Sequence, residues 1–170
     1  MNTENIIFQM PFDESDGALT AYDYSSNRAD GTVNGAHFVA GKNGNAISFA
    51  GEDTCEVSKN ILPNLSVDFS ILAWVQPGSW YSVALIKYGT VYDFYVNSIL
   101  IKSITKAGTP TGVSLNQDCY SGDYGFGLLD DVKVFNVALS QADLMDEISS
   151  VKNIAYLVDG IDFKTFGVFV

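Results

Sequence analysis

Short runs of alternating apolar and polar residues are the main feature of this sequence. Alternation with a period of two is typical of strands, because successive side chains of a strand point to opposite faces of the sheet. Asn97–Ser98 separates two such runs and predicts a tight turn between neighbouring strands. The pattern predicts strands over residues 5–10, 45–50, 54–58, 67–76, 81–87, 91–96, 99–102 and 129–137.

Residues 67–76 (VDFSILAWVQ) carry the strongest strand pattern of the chain. Both faces of this strand are apolar, which is expected for a strand in the middle of a two-sheet sandwich. Trp74 is accordingly predicted to lie in the core. The two faces consist of Phe69, Ile71, Ala73 and Val75 on one side and of Leu72 and Trp74 on the other.

One short helix is predicted, over residues 141–149. Ser140 is a favourable N-cap residue, and Asp143 follows it at the spacing of a capping box. The apolar residues that follow lie on one side of a helix, so the helix is expected to pack on an edge of the sandwich. They are Leu144, Met145 and Ile148.

Two stretches depart from this pattern. Residues 11–30 (PFDESDGALTAYDYSSNRAD) are rich in Asp, Ser, Asn and Gly, which predicts a long ordered loop rather than a helix.

Near the end of the chain, Asp159–Gly160 separates two apolar runs and predicts a hairpin, after which the sequence finishes KTFGVFV. A free apolar strand is prone to aggregation, so residues 156–170 are expected to dock on a partner protein, on another subunit or on residues beyond this sequence.

The charge balance limits the partners that the chain can bind. Its 170 residues include 20 acidic and 9 basic side chains and carry a net charge of −11. Nucleic acid and anionic membranes attract basic surfaces, so neither is an expected partner, whereas an acidic surface suits solubility or cation binding. The N-terminal MNTENIIFQM lacks the features of a signal peptide, and no stretch reaches the ~18 apolar residues of a membrane span.

Catalysis has little support in the sequence. A retaining glycoside hydrolase needs two carboxylates about 5–5.5 Å apart. The nearest approximation is Glu52 and Asp53, which lie in a predicted turn, with Glu56 on the next strand. His37 is the single histidine; it has no companion ligands for a zinc site, and its surroundings (GAHFVAG) lack the motifs of a Ser–His–Asp or Cys–His arrangement. The two cysteines, Cys55 and Cys119, are too few for a disulfide scaffold but could pair if the fold brings them together.

Four segments, in this order, resemble a laminin-G-like domain of the concanavalin A-like lectin/glucanase superfamily. They are FQMPFDESDG, YDYSSNRADGTVNGAHFVAGKNGNAISFAGEDTCEVS, FSILAWVQP and GLLDDVKVFNVALSQADL. The resemblance implies an all-β domain, a two-sheet antiparallel jelly-roll sandwich closed by a strand and one short C-terminal helix. Residues 1–150 are therefore assigned to this domain and residues 151–170 to an apolar C-terminal hairpin or docking tail.

The resemblance also implies a bound Ca²⁺ between the early loop and the late strand. The matching positions are Asp23, Asn27, Thr32 through its backbone carbonyl, and Asp130. Calcium takes 6–8 oxygen ligands from carboxylates, amides and carbonyls, which this loop can offer. The alternative is that Asp23 and Asn27 cap turns through side-chain to backbone hydrogen bonds. Arg28 departs from the family, which commonly has a small residue or glycine there.

Carbohydrate binding requires an aromatic face for stacking together with polar groups for the hydroxyls. Trp80 and Tyr81 follow a Pro–Gly turn, and Tyr120 and Tyr124 flank a second predicted loop. Aromatic residues on loops are candidates for ligand binding, and the alternative is that they pack over the ends of the sandwich.

These observations favour a non-enzymatic, lectin-like module that binds a glycan or cell-surface polysaccharide. The alternative is a structural or decoration domain that binds protein, anchored by its apolar tail. The tail sequence YLVDGIDFKTFGVFV resembles the opening of a domain of bacteriophage tail and virion proteins. That resemblance implies an extracellular or virion-associated location.

Overall fold

The computed structural model describes residues 3–59, 61, 67–106 and 127–149. The predictions for Cys119, Tyr120, Tyr124 and residues 151–170 lie outside the described residues. Within them the chain forms a short 3₁₀ turn (Thr3–Asn5), then strands, and then a helix. These elements are β1 (Ile6–Met10), β2 (Thr20–Ala21), β3 (Gly31–Asn34), β4 (His37–Ala40), β5 (Asn45–Phe49), β6 (Thr54–Val57), β7 (Phe69–Gln76), β8 (Tyr81–Tyr88), β9 (Val91–Val96), β10 (Ile99–Thr105), β11 (Gly127–Phe135) and α1 (Gln141–Ser149).

The strands form two antiparallel sheets, as expected for a jelly-roll sandwich. The larger sheet has the order β10–β9–β8–β7–β11–β5–β4, and the smaller sheet has the order β2–β3–β6. Strand β11 is central, since one side of it pairs with β7 while the other is shared between β5 and β1. The fold class predicted from the sequence is confirmed.

The predicted strands are confirmed, with some changes of boundary. Strand β10 continues to Thr105 rather than ending at residue 102, and β11 ends at Phe135 rather than at residue 137. The turn at Asn97–Ser98 is also confirmed, since both residues have the positive φ angles of a tight hairpin turn. The long loop over residues 11–30 contains one strand that was not predicted, the two-residue β2, and β3 and β4 were also missed.

A core lies between the two sheets. It is built from alternate residues of the strands, because every second side chain of each strand points inward. Strand β8 shows the division: Leu85 belongs to this inner core, while its neighbours Ala84 and Ile86 belong to a second cluster on the outer face of the large sheet. The inner core includes Phe8, Met10, Ala21, Val33, Phe38, Ile47, Cys55, Phe69, Tyr92, Val132 and Val134.

Helix α1 covers part of the outer face of the large sheet. Its buried residues Leu144 and Ile148 pack in the cluster that contains Leu72 and Trp74, so the core position predicted for Trp74 is confirmed. The capping box is present: the Asp143 N–H donates to Ser140 Oγ at 3.2 Å, and the Ser140 N–H donates to Asp143 Oδ2 at 3.2 Å. No helix in the described ranges is long and apolar enough to cross a membrane.

Candidate functional site

Asp23 is the centre of the loop between β2 and β3. Its side chain is fully buried, and both of its oxygens accept hydrogen bonds. Oδ1 accepts from the backbone N–H groups of Gln9 and Ser25 at 2.9 and 2.8 Å. Oδ2 accepts from the Ser25 hydroxyl and the Ala29 N–H, both at 2.8 Å. One carboxylate therefore fixes the loop to itself and to β1.

These hydrogen bonds also decide the ionisation of Asp23. Burial on its own raises the pKa of a carboxyl group, because it penalises the charged form. At Asp23 the N–H donors of Ala29, Gln9 and Ser25 outweigh burial, and the pKa lies below its ordinary value. The ionised carboxylate is therefore an integral part of the folded loop.

The other two residues predicted to bind calcium near this loop have different surroundings. The Asn27 side-chain amide donates to the Ile7 carbonyl at 2.8 Å, and the Asn27 carbonyl accepts from the Lys59 ammonium. Thr32 lies in the middle strand of the small sheet with its side chain exposed. Asp23 and Asn27 thus make the side-chain to backbone contacts of a tightly folded loop.

Asp130 lies in a different cluster, beneath the hairpin turn that joins β4 to β5. It is fully buried, and its Oδ2 accepts from the N–H groups of Lys42 and Asn43 at 2.8 and 3.0 Å. The turn passes so close that a Cβ atom added to Gly41 would lie 2.7 Å from Asp130 Oδ2. The other oxygen, Oδ1, is buried without a hydrogen-bond partner in the part of the chain that the structure describes.

The surroundings of Asp130 are unfavourable to its negative charge. Burial raises the pKa of Asp130 to about 6, although the N–H groups of Asn43 and Lys42 oppose the shift. The neighbouring Asp131 also has a raised pKa, again because of burial. Its Oδ2 accepts from the Asn43 side-chain amide at 3.4 Å. A buried, partly unsatisfied carboxylate beside a second carboxylate has the donor chemistry that a cation would stabilise.

The four residues predicted to bind calcium therefore do not share one set of contacts. The Asp23 cluster and the Asp130 cluster have no hydrogen-bond partner in common among the described residues. Nor do those residues include a group of three or more His, Cys, Asp or Glu side chains placed to hold a metal ion. Of the four, Asp130 has an oxygen without a donor among the described residues.

The aromatic residues predicted to bind ligand are only partly placed. Trp80 is half-buried and packs against the outer-face cluster, and Tyr81 is half-buried where β8 begins. Close by, the Lys42 ammonium lies 4.8 Å from the centre of the Trp74 ring. At the positions that the structure describes, the predicted aromatic residues are thus packed against the sandwich more than they are presented to solvent.

Two tyrosines that the sequence analysis did not select are much more exposed. Tyr22 and Tyr24 have 49% and 57% of their surface accessible, while Ala21, Asp23 and Ser25 between and beside them are buried. This alternation places both rings on the same, outward side of an extended segment. The Tyr24 N–H donates to the Gln9 carbonyl at 2.7 Å, and the Tyr22 N–H donates to Glu14 at 2.9 Å.

The groups weighed for catalysis make separate contacts in the structure. Asp53 accepts from the Ala50 N–H across its turn at 2.8 Å, and Glu56 is exposed on β6. His37 is a surface residue, paired with Asp16 at 2.9 Å. Cys55 is buried in the inner core, and burial raises the pKa of its thiol to about 12, so it is not a reactive nucleophile.

Comparison with known families accounts for this architecture. The family model Laminin_G_3, described as concanavalin A-like lectin/glucanases superfamily, matches residues 11–145. The chain belongs to this family. Comparison with curated protein sequences finds no match.

Solved structures with the same fold include a domain of an extracellular enzyme. One is domain 4 of AbnA, a GH43 extracellular arabinanase from Geobacillus stearothermophilus, in complex with arabinotriose. Its sequence is 15% identical to this chain, and the TM-score is 0.66. The match covers 84% of this chain and 97% of that domain. A second is the binding domain of Paraclostridial Mosquitocidal Protein 1, at 14% identity and a TM-score of 0.70, covering 87% of this chain.

A third solved structure comes from botulinum neurotoxin type C, whose cell entry depends on interaction with two ganglioside molecules. It is 14% identical, with a TM-score of 0.62, and the match covers 89% of this chain. The chain spans about half the length of these last two solved chains, 52% in each case. At these identities the likeness shows the fold alone.

Proposed function

We propose that this chain is a non-catalytic module that binds carbohydrate outside the cell. The proposal is supported by the family and by structures of the same fold whose ligands are arabinotriose and gangliosides. Those structures come from an extracellular enzyme and from toxins. The separate contacts of Asp53 and His37 and the exposure of Glu56 favour a binding role over a catalytic one in this proposal.

The observation that carries the proposal is the fixed presentation of Tyr22 and Tyr24. Sugar rings stack on aromatic faces, and a rigid pair of rings loses little conformational freedom when the ligand binds. Here both rings project from a backbone that Asp23 holds through four hydrogen bonds. The module therefore offers saccharides an aromatic surface that is ordered before binding.

Binding to an array of neutral and sialylated oligosaccharides tests the proposal. The parent protein is expected to bind a subset of them, and the double variant Tyr22→Ala/Tyr24→Ala is expected to bind about tenfold more weakly, which corresponds to about 1.4 kcal/mol. The matched control Tyr22→Phe/Tyr24→Phe keeps both rings and should retain most of the affinity. A parent protein that binds no oligosaccharide on the array contradicts the proposed function.

We also propose that calcium steadies the module, with Asp130 as the main ligand residue. The support is chemical: Asp130 has a buried oxygen without a partner and lies next to Asp131. A bound Ca²⁺ would supply the positive charge that this pair lacks and would tie β11 to the turn between β4 and β5. Asp23 has a different role in this proposal, since both of its oxygens are already satisfied.

A second candidate function is protein binding within a virion or surface assembly. The observation that favours it is strand β10, an edge of the large sheet in which Ile99, Leu100 and Ile101 are all exposed. An exposed apolar edge strand is a template for strand addition by another chain. In this alternative, residues 156–170 serve as a further anchor.

The oligomeric state separates this alternative from a monomeric lectin. Association through β10 predicts that the apparent mass in light scattering rises with concentration and that Ile101→Lys abolishes the rise. The exposed helix residue Met145 provides the matched control, Met145→Lys. A chain that stays monomeric at all concentrations counts against self-association through β10.

A further inference from the structure

The outer faces of the two sheets differ in what covers them. On the large sheet, Leu144 and Ile148 of α1 pack in the same cluster as Trp74. On the small sheet, Thr32 and Asn34 are exposed on the middle strand β3, so none of the described elements packs over its centre. Within the described residues, the small sheet therefore keeps one face accessible to a ligand.

Strand pairing determines which side chains share this face. Thr20 lies opposite Thr32, and Thr32 lies opposite Glu56, so these three form a row across β2, β3 and β6. Asn34 lies opposite Thr54, and the Asn34 amide donates to the Thr54 hydroxyl at 3.4 Å. Directly opposed side chains on one face have Cβ atoms about 4.5–5.5 Å apart. Thr20, Thr32, Asn34 and Thr54 thus form a compact group of hydroxyl and amide side chains, the polar patch.

Tyr22 and Tyr24 continue this face beyond the end of β2. Ala21 is fully buried in the inner core, so Thr20 and Tyr22 on either side of it point outward, and Tyr24 follows on the same side. Residues two apart in an extended chain are separated by about 6.5 Å. The polar patch and the two exposed rings are therefore neighbouring parts of one surface.

The chemistry of the polar patch suits the hydroxyl groups of sugars. The threonine hydroxyl and the asparagine amide can each donate and accept a hydrogen bond, as a sugar hydroxyl can. Glu56 is the only charged residue of β2, β3 and β6, and it lies on an edge strand. Arg28 and Asp30 in the adjoining loop contribute one charge of each sign. Since the chain as a whole carries a net charge of −11, the surface favours an uncharged ligand over an anionic one.

The extent of the surface favours a chain of sugar units over a single unit. Neighbouring strands lie about 4.8 Å apart, so the three strands of the small sheet span about 10 Å. The extended segment from Thr20 to Tyr24 adds about 13 Å along the chain direction. A single sugar ring is smaller than either dimension, so it cannot contact the two tyrosines and the middle of the polar patch at the same time.

We infer that the polar patch extends the surface of Tyr22 and Tyr24 into a binding site for a linear oligosaccharide of uncharged units. Sugar rings stack on the two tyrosines, and the hydroxyls of the following units form hydrogen bonds with the polar patch. This inference rests on the proposed carbohydrate-binding function and deepens it, because it specifies the charge and the length of the ligand.

A series of neutral oligosaccharides, from monosaccharides to hexasaccharides, tests the extended site by calorimetry. The affinity of the parent is expected to rise with chain length. Thr20→Val/Thr32→Val removes two hydroxyls but keeps β-branched side chains in both strands, so it should unfold at about the same temperature as the parent. It is expected to bind the long chains about tenfold more weakly. Thr105→Val, at an exposed threonine of β10, is the matched control and should bind like the parent.

Thr32→Lys provides a second test, because it places a long side chain in the middle of the polar patch. It is expected to abolish the gain in affinity with chain length. Binding of long chains equal to that of the parent in both variants would overturn the extended site, as would a preference of the parent for sialylated over neutral chains. If Tyr22→Ala/Tyr24→Ala still weakens binding, the proposed function stands without the extended site. A parent protein that binds no oligosaccharide would refute the proposed function itself.

Discussion

Asp23 and Asp130 are two fully buried aspartates with opposite surroundings. Asp23 receives four hydrogen bonds, two on each oxygen, from the backbone and from Ser25. One oxygen of Asp130 accepts hydrogen bonds from the N–H groups of Lys42 and Asn43, while the other oxygen has no partner in the described part of the chain. The pKa of Asp23 is lowered and that of Asp130 is raised to about 6.

Burial alone therefore does not determine whether the negative charge of a carboxylate is stable in the folded protein. The number of donors decides whether the buried charge is stabilised by the protein or needs something from outside. By this criterion the protein's own donors satisfy Asp23, whereas Asp130 has an oxygen that a cation would stabilise under our proposal. The predictions below test this difference.

Removal of the Asp23 carboxylate should have the largest effect. Asp23→Ala leaves the backbone N–H groups of Gln9, Ser25 and Ala29 without their acceptor, so we expect the free energy of unfolding to fall by about 3–5 kcal/mol. Urea denaturation measures the change. Asp146→Ala, which alters an exposed aspartate on α1, is the control and should stay within about 0.5 kcal/mol of the parent.

The same experiment separates the two roles of Asp23. If Asp23 acts through the protein alone, the loss should be the same in CaCl₂ and in EGTA. A loss seen only in CaCl₂ would show that Asp23 binds the metal after all, and a loss under about 1 kcal/mol would contradict its role as the centre of the loop.

Asp130→Asn should have a smaller effect, and its sign should depend on calcium. The amide keeps an oxygen for Lys42 and Asn43 and removes the unfavourable charge. In EGTA at pH 7 the variant is therefore expected to be about 1–2 kcal/mol more stable than the parent. With Ca²⁺ at 100 times its Kd, the parent should gain about 2.7 kcal/mol and the variant should gain none. Thermal unfolding in the two buffers measures both effects.

A parent protein whose unfolding is insensitive to Ca²⁺ would refute the calcium proposal while leaving the difference between the two aspartates in place. A variant that loses stability in EGTA would show instead that the charge of Asp130 is favourable in the folded state. The two outcomes test separate claims.

The sequence predicted most of the strands and the helix because their signals are local, whereas the jelly-roll class followed from the resemblance of four segments to a known family. Alternation in residues such as Phe69 to Gln76 follows from which side of one strand faces a core, and the capping box of Ser140 and Asp143 lies within four residues. Strands β2, β3 and β4 were missed because they have two to four residues each. Their existence depends on pairing with distant strands rather than on their own composition.

The site was predictable only in part, because its properties arise from contacts across the fold. The sequence singled out Asp23 and Asp130 but could not show that Gln9 and Ala29 satisfy the first while the second keeps an unpaired oxygen. The exposure of Tyr22 and Tyr24 had a local signal, the alternation of residues 21–25, that was not used.

The dependence of stability on pH provides the finest test of the comparison. Asp130 has a raised pKa in the folded state, so its contribution is fully present below the unfolded pKa of about 3.9 and is lost as the pH rises through about 6. Asp23 has a lowered pKa, so its contribution is present above about pH 4 and is lost as the pH falls below that. In EGTA, Asp130 should therefore lower the stability of the parent by about 1 kcal/mol between pH 5 and pH 7.

The difference between the parent and Asp130→Asn measures that contribution together with the electrostatic coupling between Asp130 and Asp131. Urea denaturation of both at pH 5, 6 and 7 in EGTA should show the advantage of the variant growing with pH. An advantage that does not change with pH would mean that Asp130 stays ionised throughout this range. In that case the fold would tolerate the unpaired oxygen of the ionised Asp130. Asp23 and Asp130 would then differ in their number of hydrogen bonds but not in their ionisation.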